Sequence, residues 1–579
     1  YQVTKSDISE IIKGFQRDGK GEGFELFKVK GWDYPSLVEA YEKAEKLARD
    51  KHIPSIIHVI EMTQPTGHST SGSHERYKSK ERLEWEKEFD CIKKYEEWII
   101  KNNIASEEEL DEIRTEAKET VKQAKKEAWS EYQKPIKDEL NQLLNIFKSI
   151  KSKFSIDEID EWSKDLNQSA MFGLFRRDYM TKARLLLTKL NRVSGPEKES
   201  LIQFIDKIHK ENSNRYNTFL YNLTSSSARN VKEVKPTYSN NAELVDGRII
   251  LRDNFHQMFE DIPEAMIFGE DVGKIGGVNQ GVEGMQEKFG EERVADTGIR
   301  ETTILGQGIG LSLRGLRPIA EIQYLDYLLY AFQTMADDLA SLHYRTYGGQ
   351  ISPVIIRTRG HRLEGIWHSG SPMGMIINGT RGVNICVPRD MTRAAGFYNT
   401  LMISDEPAMV IECLNGYRTK EKMPSNIGEF RTPLGVIEVT KTGNDITLVS
   451  YGSTWRIVDD AANELEKLGI SCEVIDIQSI VPFDLNCEIV ESVKKTNRLL
   501  VVDEDVPGGA SAYILQKIIE DQKAYEFLDS SPSTLTAKAH RPPYGKDGDY
   551  FTKPSVNDVI EKVYSILNEA DPKKFPQLF

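Results

Sequence analysis

Apolar positions recur at helical spacing through Leu37, Val38, Tyr41, Ala44 and Leu47, behind a Pro35 suited to a first helical turn. The run Ile53–Ile60 is then almost wholly apolar, which predicts a buried parallel strand. A polar loop follows, Gly67 to His74. From 76 to about 235 the pattern changes to dense Glu and Lys with little Gly. Ser106 and Glu109 form a capping-box start, and Leu110, Ile113, Ala117, Val121 and Ala124 then place one apolar stripe on a long helix. Further helical patterns run through Leu140–Phe154 and Arg184–Leu190. Residues 224–244, rich in Ser, Thr and Asn, read as a linker.

Beyond the linker, apolar runs alternate with helical patterns to the end of the chain. Predicted strands are Ala265–Gly269, Pro318–Gln323, Pro353–Arg357, Val383–Val387 and Ala408–Cys413. A boundary near 430 is followed by Asp445–Gly452, Ser471–Ile477, Leu499–Asp503 and Thr534–Ala539, with helices over Ile457–Leu468 and Ala510–Glu520. This alternation predicts mostly parallel sheets covered by helices on both faces.

The 579 residues suffice for roughly three or four domains. A net charge of −14 argues against a sequence-independent grip on nucleic acid, and no apolar run is long enough to span a bilayer. No charged-then-apolar leader opens the chain, and Tyr1 is not a start residue, so a fragment or processed chain is expected. The five cysteines are scattered without a CxxC pair, which predicts reduced thiols in a cytoplasmic protein and no zinc site.

Several motifs carry a resemblance. Gly269-Glu270-Asp271-Val272-Gly273, Gly276-Gly277-Val278, Phe289-Gly290 and the run Arg293 to Glu301 follow one another in order. Glu321-Ile322-Gln323-Tyr324-Leu325-Asp326-Tyr327, His368-Ser369-Gly370-Ser371, Val481-Pro482-Phe483-Asp484 and Val502-Asp503-Glu504 with Gly508-Gly509 continue the series. This half resembles the β-subunit of thiamine diphosphate-dependent 2-oxoacid dehydrogenases over nearly everything after 245. Gly67-His68-Ser69-Thr70-Ser71 and Phe89 to Lys134 resemble the C-terminal half of the α-subunit, with the branched-chain members nearest. The chain thus resembles α fused to β, with an additional helical connector.

The resemblance implies an α/β, transketolase-like thiamine diphosphate-binding fold. Its parallel sheets are flanked by helices and joined to a helical connector and a transketolase C-terminal-like α/β domain. The implied parts are 1–75 (C-terminal half of the diphosphate-binding domain), 76–235 (helical tail and connector), 240–430 (pyrimidine-binding domain) and 431–579 (C-terminal-like domain). The implied activity is oxidative decarboxylation of a branched-chain 2-oxo acid such as 3-methyl-2-oxobutanoate. The acyl group passes to the lipoyl arm of a dihydrolipoyl acyltransferase partner, and the enzyme is expected as a homo-oligomer, a dimer. Pyruvate is the rival substrate. A transketolase-like reaction fits His68 and the C-terminal motifs less well, and a non-catalytic docking module is the reading from another class.

Residue roles follow from the same resemblance. Glu301 matches the carboxylate that bonds the pyrimidine nitrogen so that the cofactor's own imino group becomes the base; the plain alternative is a first-turn Glu favoured by the helix dipole. Tyr327 matches a ring packed on the pyrimidine, Gln323 a polar residue at a strand end, and Ile299 a support for the bent cofactor. His368 is implied beside the substrate carboxylate, and His68 in acyl transfer from the α side. The family's Gly-Asp-Gly and Asn motif for Mg2+ and diphosphate does not occur before residue 75, so the Mg2+ ligands are expected in an N-terminal part outside this chain and no residue here is assigned to metal. Gln64 stands where many relatives have Arg, Gly370 replaces a common Gln, and Ser69, Ser71 and Ser73 resemble sites phosphorylated in some relatives.

Overall fold

The computed structural model describes residues 6–64, 73–360, 372–543 and 545–576. The chain forms two compact units, 1–207 and 208–579, with the division inside the helix Pro196–Asn217.

In the first unit, strands β1 (Glu25–Lys30) and β2 (Ser55–Ile60) pair in parallel from Glu25↔Ser55 to Lys30↔Ile60. Parallel neighbours need a crossover, supplied here by the helix Tyr34–Lys51. Asp33 caps its start by accepting from the Ser36 N–H, Pro35 sits in the first turn, and His52 ends it in the left-handed region at φ 53°. The helix Glu107–Lys153 runs for 47 residues. Its start is the expected capping box: the Glu109 N–H donates to Ser106 Oγ (3.2 Å), and the Ser106 N–H donates to Glu109 Oε2 (2.7 Å).

Its two halves behave differently. Ile136, Leu140, Leu143, Phe147 and Ile150 are buried in a bundle with the helices Glu158–Phe172 and Arg176–Lys189. The predicted stripe in the first half faces outward instead, with Ile113 60% and Val121 68% exposed. Periodicity identified the helix correctly; it could not say whether anything covers that face.

In the second unit the strands are β3 (Leu244–Asp246), β4 (Ala265–Gly269), β5 (Val294–Asp296), β6 (Arg317–Ile322), β7 (Ile355–Gly360), β8 (Asn384–Cys386), β9 (Ala408–Cys413) and β10 (Lys420–Lys422). They continue as β11 (Glu438–Lys441), β12 (Ile446–Ser450), β13 (Cys472–Asp476), β14 (Ser479–Val481), β15 (Leu499–Val502) and β16 (Ser533–Leu535). A seven-stranded sheet has the order β14-β8-β9-β7-β6-β4-β5, parallel except for β14. A five-stranded sheet has the order β11-β13-β12-β15-β16, parallel except for β11. Strands buried on both faces read as continuous Ile, Val and Ala runs, which is why β4 and β9 fall at the predicted residues.

The segment 224–244 differs from the linker expectation. The buried Glu406 carboxylate accepts from the Asn222 N–H (3.0 Å), Ser227 Oγ (2.9 Å) and the Ala228 N–H (2.7 Å). Thr237 and Asn426 add a further tie. The polar residues that suggested freedom are used to fasten the segment to the second unit. Among the described residues, no helix is long and apolar enough to cross a membrane.

Candidate functional site

The C-terminal ends of parallel strands leave a crevice where ligands bind, and β4, β6 and β7 end together here. At the end of β4, a Cβ on Gly269 would lie 2.7 Å from the Glu321 carbonyl oxygen, so only glycine permits this approach of β4 to β6. The chain then turns through Asp271 (φ 59°), Gly276 (φ 75°) and Gly277 (φ 80°). Asp296, at the end of β5, fixes the turn by accepting from the Gly273 N–H (2.7 Å) and the Lys274 N–H (3.0 Å).

Glu301 is the first residue of the helix Glu301–Leu313 and is 8% exposed. A carboxylate in a first helical turn is favoured by the dipole, but burial to this degree is unusual for Glu. Burial pushes the Glu270 carboxyl above its ordinary range, and the negative charges of Asp271, Glu301 and Glu321 push it the same way. Burial likewise raises the Tyr327 phenol, with Asp326, Tyr324, Glu270 and Glu301 contributing. Glu301, Glu270 and Tyr327 therefore share one electrostatic neighbourhood. Tyr327 lies in the short helix Leu325–Tyr330, its ring edge-on to Tyr324 at 5.8 Å. It also lines a cavity of about 610 Å3 together with Asp326, Tyr330, Glu504, His540 and Lys553.

Gln323 follows β6, its Nε2 3.5 Å from Asp271 Oδ2. Ile299 stands 73% exposed, just before Glu301. Among the expected site residues, Glu301 thus acts electrostatically on Tyr327, Gln323 borders the turn after β4, and Ile299 is an exposed neighbour in sequence. His68 and His368 lie outside the described residues.

Beneath the crevice is an ionic floor. Arg357 and Arg359 alternate on one face of β7, and both are fully buried. Arg357 donates through Nη1 to Glu321 Oε2 (2.6 Å), and through Nε and Nη2 to Glu412 (2.8 and 3.2 Å). Tyr398 donates to Glu412 Oε1 (2.7 Å), and Tyr417 donates to Glu412 Oε2. Burial alone would pull both guanidinium groups down, but Glu412 for Arg357 and Glu321 for Arg359 hold them above the ordinary range. Sequence reasoning assigned no role to Glu270, Arg357 or Arg359. The signal for the floor was present: Arg at alternate positions in an otherwise apolar strand, with Glu321 and Glu412 in the flanking strands.

A buried carboxylate in the electrostatic reach of a half-buried aromatic ring suits a flat, nitrogen-bearing heteroaromatic such as an aminopyrimidine. Among the described residues, no group of three His, Cys, Asp or Glu could hold a metal ion.

Residues 3–137 match the family described as dehydrogenase E1 component, 245–419 the transketolase pyrimidine binding domain, and 435–557 the transketolase C-terminal domain. The chain is 34% identical over 310 residues to the pyruvate dehydrogenase E1 component subunit beta of Staphylococcus epidermidis, covering 52% of this chain and 93% of that protein. The Staphylococcus aureus protein of the same name is 33% identical over the same length and coverage. A solved structure titled "Split gene transketolase, inactive beta4 tetramer" aligns with TM-score 0.45 at 19% identity, covering 56% of this chain and 99% of that one.

Proposed function

Because the chain belongs to the thiamine diphosphate-dependent 2-oxoacid dehydrogenases, as part of their decarboxylating component, we propose that Glu301 is the carboxylate that activates its cofactor and that a branched-chain 2-oxo acid is its substrate. The observation that carries the first half is the burial of Glu301 at a helix start, sharing its surroundings with Glu270 and Tyr327.

Thiamine diphosphate, when bound, supplies the nucleophilic carbon and the electron sink for decarboxylation. Glu301 would hold the pyrimidine ring nitrogen through a shared proton. Tyr327 offers its ring face to the pyrimidine, and Gln323 offers an amide donor at the strand end. Ile299, exposed two residues before Glu301, would lend the cofactor an apolar contact. His368 holds or moves a proton at the substrate carboxylate, and His68 serves passage of the acyl group to the lipoyl arm of an acyltransferase partner. Magnesium diphosphate is assigned to none of the described residues, and no step is derived through it.

We place the protein in the cytoplasm as a homodimer; its five free cysteines accord with a reducing compartment. Pyruvate is the second reading, favoured by the names of the Staphylococcus relatives. Turnover of 3-methyl-2-oxobutanoate against pyruvate decides the substrate, with the branched acid expected to have the higher kcat/KM. Glu301→Gln is expected to abolish decarboxylation with an unchanged circular dichroism spectrum, and near-normal activity in that variant would remove Glu301 from the role.

A further inference from the structure

Arg359 ends up inside the sheet floor, yet its contacts lead to the crevice. Its Nη1 donates to the main-chain carbonyl of Gln323 (3.1 Å). The same nitrogen lies 2.8 Å from Glu321 Oε1, an ion pair outside hydrogen-bond alignment. Its Nε donates to Tyr417 Oη (3.0 Å). Its Nη2 is buried and, among the described residues, has no hydrogen-bond partner. That nitrogen lies under the turn after β4, where a Cβ on Gly277 would stand 3.2 Å from it. One guanidinium therefore contacts the end of β6 and underlies the turn that carries Asp271, which accepts from the Gln323 amide at 3.5 Å.

We propose that Arg359 is a positioning residue that sets the placement of Gln323 against the turn after β4, and through Gln323 the grip on the cofactor. The inference rests on the reading of the crevice as a thiamine diphosphate site. Arg suits this task because its fork is planar and donates in several directions at once, whereas the ammonium of Lys is a point charge on a flexible stem. Gln323 has no residue of regular strand after it to fix its carbonyl, since β6 ends at Ile322. Its carbonyl bond to Arg359 takes that place. The carbonyl carbon and the side chain of Gln323 leave the same Cα, so a displaced carbonyl that shifts this Cα shifts the side chain with it. The Tyr417 hydroxyl and Glu321, both fully or nearly fully buried, hold the guanidinium against rotation.

The test is a double-mutant cycle on the holoenzyme, with the part that supplies the Mg2+ ligands present and with its lipoyl acceptor, using Arg359→Met, Gln323→Ala and the two together. The Kd for thiamine diphosphate by isothermal titration calorimetry, its KM, and kcat at saturating cofactor are read separately, with Kd expected to move as KM does. Arg359→Met is expected to raise KM about tenfold while kcat changes little, a coupling of ordinary size for residues in contact. In the Gln323→Ala background the same change is expected to have little further effect, because the side chain it positions is gone. Arg359→Lys is expected to recover only part of the loss. Equal fold-changes in both backgrounds would overturn the positioning role, as would full rescue by Lys. If Arg359→Met does not fold, the cycle is run with Arg359→Lys, under the same criterion. A wild-type chain that shows no thiamine diphosphate dependence overturns the reading of the site itself, and this role with it; a dependent wild type with an additive cycle overturns only the role of Arg359.

Discussion

Replacing Glu412 by Gln changes one oxygen of a fully buried side chain into a nitrogen, in a place where every neighbour is a donor. Arg357 Nε and Tyr398 meet Oε1, and Arg357 Nη2 and Tyr417 meet Oε2. Whichever way the amide turns, its NH2 faces a guanidinium N–H and a phenol O–H. Arg357 keeps Glu321 at 2.6 Å but loses its second counter-charge. Burial pushes the Glu412 carboxyl up, yet Arg357, Arg359 and Tyr417 leave it below its ordinary range, so the ionised form is the one the fold uses. Breaking a buried pair from one side costs about 3–5 kcal/mol. The matched double variant Arg357→Met with Glu412→Leu removes both charges and leaves Glu321 paired with Arg359. Because apolar replacement of a buried pair is often neutral, the double variant is expected to lose less than Glu412→Gln alone. Hydrogen exchange of the β7 and β9 amides reads the local opening free energy of these strands. A fall of less than about 1 kcal/mol in Glu412→Gln, or a double variant whose loss equals the sum of its singles, would refute the reasoning.

Two further outcomes follow from groups away from the crevice. Glu406→Ala leaves the Asn222 and Ala228 N–H groups and the Ser227 hydroxyl without their acceptor, which at about 1–3 kcal/mol for each orphaned group should open the 224–244 segment to limited proteolysis; unchanged cleavage there would contradict its fastening. Burial, with Asp390 adding to it, pushes the Glu421 carboxyl from 4.5 up to about 7, although it accepts from the Met391 and Thr392 N–H groups. The folded state then binds more protons than the unfolded one between these values, so stability falls as pH rises through that window, by about 3 kcal/mol in all. Thermal unfolding from pH 4 to 8 measures it, and Glu421→Gln should flatten that part of the profile.

Legibility in the sequence followed the strength of local signals. β4 and β9 were readable to the residue because a buried parallel strand has one continuous apolar signature. The capping box at Ser106 located a helix start, but the pattern through Leu140–Phe154 belongs to the same 47-residue helix, since Pro135 lies inside it without ending it. The expected helix Ala510–Glu520 holds as an α-helix to Gln516 and continues as a π-helical turn over Lys517–Asp521. The tie from Glu406 to Ala228 was illegible, because polar residues in a loop give the same local pattern whether free or bonded across 178 positions. Glu301 and Tyr327 were singled out by motif, while Arg359 escaped because its partners come from three separate segments.

The placement of charge in the large sheet explains why the crevice is acidic without the fold being unstable. Central parallel strands have no water on either face, so an ionised group there must be met by an opposite charge and by donors or acceptors in fixed directions. β6, β7 and β9 satisfy this on one face only, through Glu321, Arg357, Arg359 and Glu412. The two cations are thereby spent on Glu321 and Glu412, inside the floor. Burial raises the Glu270 carboxyl, and the negative charges of Asp271, Glu301 and Glu321 raise it further. An acidic mouth over a neutralised floor favours sharing a proton with a basic ring nitrogen over holding an anion. That preference belongs to the order of residues along three adjacent strands, so exchanging the charges of Glu321 and Arg357 should disturb the crevice even with the net charge unchanged.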